Sequence, residues 1–216
     1  MKILILGISG RTGRLVAEEA VKRGHTVAGI VRCPGGLNVK GAEIITGTPY
    51  DIETVRKAMD GCEAVISTLS LVPSSHGLFK KITTPLDSMS VSMGNTVTVM
   101  GEKGIRRIVL MTAAGVGDTA NMLPGFFKFL KNISNIRFAY ADHERQEKIL
   151  AGSDLDWTIL RPVGLNDKND NLTTLADTDG TVKIKSMISR NAVAHFILCC
   201  IENGQFIRQK PVISNK

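Results

Sequence analysis

Aromatic side chains are scarce in this chain: 5% of 216 residues, with two tyrosines and one tryptophan. Long apolar runs are missing. No window approaches about 18 consecutive apolar residues, so neither a membrane span nor a membrane partner is expected. At the amino end one lysine precedes a short apolar run that stops at glycine. There is no cleavage pattern, so no signal peptide is expected. Paired metal-ligand spacing is lacking as well. Cys33, Cys62, Cys199 and Cys200 read as reduced, buried thiols of a cytoplasmic protein. The net charge is +7, yet no long basic run exists and the excess is spread along the chain. That argues against a nucleic-acid face and fits a mild preference for anionic small ligands. No repeat, low-complexity stretch or linker divides the sequence, so residues 1–216 are expected to form a single domain.

What the chain does contain is a regular alternation. Apolar runs at 2–7 (KILILG), 26–32 (TVAGIVR), 43–46 (EIIT), 64–68 (AVIST), 106–112 (RRIVLMT) and 155–160 (LDWTIL) predict six strands. Helices are predicted over 11–23, over 51–59 with Asp51 as N-cap, and over 86–103. Strands continuous in Val, Ile and Leu that alternate with helices imply a parallel sheet covered on both faces. After Arg161-Pro162 the pattern changes to polar loops, a short hairpin at about 172–185, a helix at 190–202 and a last strand, PVIS. The fold class is therefore α/β, a doubly wound parallel sheet with a small C-terminal elaboration.

Gly7, Gly10 and Gly13 stand at a spacing of three between the first strand and the first helix, in LILGISGRTGRLV. One glycine permits a tight turn, a second lets backbone approach a pyrophosphate, and the third lets helix and strand pack closely. The helix N-terminus then favours the anion. The alternative is a merely structural turn. No Gly-Lys-Ser/Thr follows, so this is not a P-loop. At the end of the second strand, where an acid would hold the ribose of NAD, stands Arg32. A guanidinium there suits the 2′-phosphate of NADP, with Arg11 adding charge on the same side; the alternative is a solvated strand-end arginine.

The opening turn, VR at 31–32, GTPYDIETVRKAMDGCEAVISTLS at 47–70, IRRIVLMTAAGV at 105–116 and DHERQEKILAGSDLDWTILRP at 142–162 resemble the atypical short-chain dehydrogenase/reductases. Within that superfamily they resemble the NAD(P)H-binding, NmrA-like group and its small flavin reductases. The resemblance spans nearly the whole chain and implies a Rossmann-like fold. It implies that Gly7, Ser9, Gly10, Arg11, Thr12, Gly13 and Arg32 hold the cofactor. Thr48 and Pro49 match the segment near the adenine, where Thr48 replaces a familiar acid. Thr68, Leu69 and Ser70 match the strand end beside the ribose and nicotinamide. Thr112 keeps one of two hydroxyls that many relatives carry after the fifth strand; Ala113 has lost the other.

The superfamily's Tyr-x-x-x-Lys acid is absent: four residues beyond Tyr50 and Tyr140 stand Thr54 and Glu144. Ordinary alcohol–ketone chemistry thus lacks its donor. Tyr140 still falls near that place, and His143 matches a substrate-pocket histidine of the flavin reductases. The alternative for His143 is a surface helical residue. His25, His76 and His195 read as loop or packing residues, and Asp142, Glu144 and Glu147 as a solvated helix face. Phe126, Phe127 and Phe129 sit in an insertion after the fifth strand, where they stack on a flat acceptor or else pack in a core or dimer contact. No triad, carboxylate pair or metal cluster stands out. The expected activity is NADPH-dependent reduction of a planar acceptor such as a flavin or quinone by a monomer or weak homodimer. Thr112, Tyr140 and His143 are the candidate catalytic residues. A non-catalytic redox sensor is the second reading and a sugar-nucleotide epimerase a third.

Overall fold

A computed structural model describes residues 1–33, 39–71, 82, 84–122, 125–168 and 172–216. In chain order its elements begin with β1 (Lys2–Leu6), α1 (Arg11–Lys22), β2 (Thr26–Val31), β3 (Ala42–Thr46), α2 (Ile52–Ala58), β4 (Ala64–Ser67), α3 (Ser88–Lys103) and β5 (Arg107–Met111). A 3-10 turn (Gly117–Met122) leads to α4 (Gly125–Ile133), α5 (Ile136–Ala151) and β6 (Asp156–Pro162). The remainder is β7 (Gly164–Asn166), β8 (Thr174–Asp177), β9 (Met187–Ser189), α6 (Arg190–Glu202) and β10 (Val212–Asn215). The helix expected at 51–59 forms as read: the Asp51 carboxylate accepts from the N–H groups of Glu53 and Thr54, both at 3.3 Å.

The sheet order is β3-β2-β1-β4-β5-β6-β10-β8. All neighbours run parallel except β8, which is antiparallel to β10. Strand residues alternate between two buried layers. Ile3, Ile5 and Ile66 face α1 and α6, while Leu4, Leu6 and Val65 face α2, α3 and α5. Both faces are covered, which is why these strands read as continuous apolar runs. The chain builds outward from β1 to β3 and then crosses back to β4. The switch point therefore opens between the carboxyl ends of β1 and β4, where α/β sheets bind their ligands.

The C-terminal part differs from the sequence reading. No hairpin forms over 172–185. The Asp177 carboxylate accepts three backbone N–H groups, from Gly180 (3.1 Å), Thr181 (3.1 Å) and Val182 (3.2 Å). The chain coils around that oxygen and leaves the strand without reversing into a partner. β8 pairs with β10 instead, and β7 with β9 form a separate two-stranded parallel pair. The thiols are free, but only Cys62 and Cys200 are buried; Cys33 is exposed and Cys199 is half-buried.

Candidate functional site

The glycine turn is as tight as its spacing suggests. Gly7 has φ +84°, and a β-carbon on Gly13 would lie 2.1 Å from the Gly7 carbonyl oxygen. The Gly10 N–H donates to that same oxygen at 2.9 Å. Beneath it the Thr68 hydroxyl donates to the Leu6 carbonyl at 3.1 Å, which anchors the turn to the end of β4. Thr12 is buried, whereas Ser9, Gly10 and Arg11 are exposed. α1 starts at Gly10 with no capping side chain, so its first-turn N–H groups are left for an external acceptor. This cradle, held open by missing side chains, fits a pyrophosphate.

Arg32 lies exposed just past β2, and among the described residues it has no ion-pair partner. Arg11 is different. It pairs with Asp167 at 3.1 Å, and Asp167 also holds Arg190 at 2.6 Å. The charge expected to add to Arg32 is thus already partnered from beyond β7. In the loop before α2, the Thr48 carbonyl accepts from Asp51 N–H at 3.0 Å, and the Pro49 carbonyl accepts from the Asn95 amide at 3.3 Å. Leu69 is half-buried and Ser70 exposed at the end of β4.

The candidate redox end gathers where β5 and α5 meet. Tyr140 donates its hydroxyl to the Ala114 carbonyl at 3.1 Å, and burial pushes its pKa up to about 12. His143, 7% exposed, is no surface residue. Its Nδ1 lies 3.1 Å from the Gln146 amide nitrogen, and burial lowers its pKa to about 4 against the pull of Glu147 and Asp142. Thr112 donates its hydroxyl to Glu147 Oε1 at 2.8 Å. Glu147 in turn accepts from Arg161 Nε at 3.1 Å and Nη2 at 2.6 Å, and Arg161 reaches Asp118 at 2.5 Å.

The solvated acidic face expected on this helix holds only for Glu144, which pairs with Lys148 at 2.8 Å. Glu147 is 3% exposed and Asp142 fully buried. Asp142 caps α3 from outside, accepting from Met89 N–H at 2.9 Å and Ser90 N–H at 3.3 Å. α5 turns this face toward α3 and β6, and helical spacing alone does not reveal that. A signal for Glu147 was present: Arg161 is a charge directly after the apolar pair Ile159-Leu160 in β6, and such a group, if buried, needs a partner.

Phe127 stacks at a tilt on Tyr140, with centroids 6.4 Å apart, and Lys131 Nζ lies 5.3 Å from the same ring. Phe129 points outward, 62% exposed, and the side chain of Phe126 lies outside the described residues. His25 and His195 pack in an α1–α6 charge cluster. His25 meets Glu202 at 2.9 Å, and His195 meets Arg23 at 2.6 Å. His76 lies outside the described residues. Among the described residues no group of His, Cys, Asp or Glu is placed to hold a metal ion, and no helix is long and apolar enough to cross a membrane.

The NAD(P)H-binding family matches residues 7–204. This chain belongs to that family. The match bears out the resemblance to the atypical short-chain dehydrogenase/reductases. One relative is a protein of Bacillus subtilis named uncharacterized sugar epimerase YhfK, 26% identical over 94% of this chain and 88% of its own. The fold is shared with ChuY of Escherichia coli O157:H7, named an anaerobilin reductase, at TM-score 0.82 and 21% identity over 100% of this chain and 97% of that one. It is also shared with a short-chain dehydrogenase/reductase of Veillonella parvula in complex with NADP, at TM-score 0.77 and 17% identity over 99% and 94%. The chain therefore has an NAD(P)H-binding, oxidoreductase-like fold.

Proposed function

We propose that this protein is a cytoplasmic NADPH-dependent reductase of a planar acceptor such as a flavin or a quinone. Bound NADPH supplies a hydride. The glycine turn holds the pyrophosphate, Arg32 grips the 2′-phosphate, and Tyr140, His143 and Phe127 border the acceptor. One observation carries the choice of acceptor: none of the three candidate catalytic residues, Thr112, Tyr140 and His143, offers a ready proton. The Tyr140 hydroxyl proton goes to Ala114 and its pKa is pushed up to about 12, the Thr112 proton goes to Glu147, and His143 is neutral above a pKa of about 4. Reduction of an aldehyde or ketone places charge on an alkoxide that needs a proton delivered to it. A flavin or quinone spreads that charge over its own rings, so positioning alone suffices. A neighbour named as a reductase of a bilin, also a flat conjugated molecule, is in keeping with this reading. The test is NADPH oxidation by purified protein against flavins, quinones, aldehydes and ketones. Turnover with flavins or quinones and not with the carbonyls is expected. Turnover confined to aldehydes or ketones would overturn the reading, and tight NADPH binding with no turnover would favour the redox sensor.

A further inference from the structure

Arg161, Glu147 and Thr112 form a buried group, 2%, 3% and 4% exposed, in which Glu147 of α5 joins the adjacent carboxyl ends of β6 and β5. Glu147 takes both Arg161 contacts, at 3.1 and 2.6 Å, and Lys210 Nζ stands 3.9 Å away. Its oxygens serve as acceptors to the guanidinium, and the 2.8 Å bond with Thr112 runs the same way: the threonine gives its proton inward. What remains for a ligand is the pair of acceptor sites on Oγ1.

Buried ion pairs of this kind add little to stability compared with apolar side chains of similar size. A role in fixing one proton accounts better for a charged pair carried beneath a candidate site. Thr112 follows β5, the strand beside β4, and β4 floors the glycine turn through Thr68. A dinucleotide seated on that turn extends along these strand ends. Its nicotinamide carries a single N–H-bearing group, the carboxamide.

We propose that Glu147, locked by Arg161, is a positioning residue that makes Thr112 an obligate acceptor for the carboxamide N–H of the nicotinamide. The inference rests on the dinucleotide reading of the site. It assigns to Thr112 a part in orienting the cofactor's redox end and none in proton delivery.

The test compares two ligands by calorimetry: NADPH, and 2′-phospho-ADP-ribose, which lacks the nicotinamide. Thr112→Val keeps the shape and removes the hydroxyl. It should weaken NADPH about 3- to 10-fold, the range of one neutral hydrogen bond, and leave the fragment unchanged. Thr112→Ser should restore the NADPH value. The double variant Glu147→Leu/Arg161→Met replaces the ion pair by apolar side chains of similar size, which frees the threonine proton without leaving a lone buried charge. It should weaken NADPH selectively, by less than Thr112→Val does, because the freed hydroxyl keeps its lone pairs but no longer has its proton held inward. An unchanged NADPH affinity in Thr112→Val, or equal losses for both ligands, would overturn the proposal. So would full NADPH affinity in the double variant. Failure of the unaltered protein to bind either ligand would instead overturn the dinucleotide reading beneath it.

Discussion

Gly13 lies directly against Gly7: a β-carbon on Gly13 would stand 2.1 Å from the Gly7 carbonyl oxygen. At Gly10 the same construction gives 3.1 Å to that oxygen, and φ there is an ordinary −74°. The two glycines should therefore fail differently. Gly13→Ala forces the strand and helix apart, and thermal melting should show a loss of several °C or more before any ligand is added. Gly10→Val should fold with a loss of roughly 1 kcal/mol at the helix cap, yet its side chain would stand in the site proposed for the pyrophosphate. NADPH at about 100 times its dissociation constant should stabilise the unaltered protein by roughly 2.7 kcal/mol, and Gly10→Val should lose that shift.

Arg32 is exposed and has no ion-pair partner among the described residues, so its removal should leave the fold intact. Charge-assisted hydrogen bonds contribute roughly 1.5–3 kcal/mol. Arg32→Ala should therefore weaken NADPH about 10- to 150-fold and NADH far less. Arg11 is paired with Asp167, which leaves it less able to compensate. Arg32→Asp should go further and narrow or reverse the preference. Titration of both cofactors checks this; equal losses for NADH and NADPH would remove Arg32 from the phosphate.

Burial depresses the His143 pKa from 6.5 to about 4. The unfolded chain then takes up the proton first as pH falls, so the group's contribution is fully present above about pH 6.5. It is lost progressively down to about pH 4. One pKa unit is about 1.4 kcal/mol, so the loss across that window is on the order of 3 kcal/mol. Urea unfolding of the protein and of His143→Asn between pH 4 and 7.5 should show a shallower slope in the variant. Parallel slopes would mean that His143 titrates normally.

Asp142 caps α3 from a neighbouring helix and also takes Arg145 Nε at 3.1 Å. Asp142→Ala leaves two buried N–H groups unsatisfied and should lower stability by roughly 1–3 kcal/mol. Asp142→Asn, which keeps an acceptor oxygen, should lose less. Chemical denaturation of the pair orders the two; equal losses would show that the charge, and not the cap, carries the effect.

Much of this architecture was legible because it is local. The six strands through β6 announce themselves as aliphatic runs between turns, and the Gly7–Gly13 spacing marks the cradle before any coordinates are known. The fate of α5 was not legible. Asp142–Arg145 and Glu144–Lys148 both look like solvated helix pairs, yet Asp142 is sealed under α3 while Glu144 stays half-exposed. Which face of a helix turns inward is decided by its neighbours. β7 and β9, three residues each, pair with one another while β9 packs on α6 and β10, and a run that short carries no period.

The central claim is that the redox end works by position, without a protein acid. The pH dependence of kcat for NADPH oxidation by one quinone, in the unaltered protein and in Tyr140→Phe, tests it most directly. A profile flat from pH 6 to 9 in both, with rates within a few fold of each other, is the result expected from a tyrosine whose proton is held by Ala114 and whose pKa is pushed up to about 12. A rate that falls as one group loses its proton near neutral pH, and that is abolished in Tyr140→Phe, would contradict it.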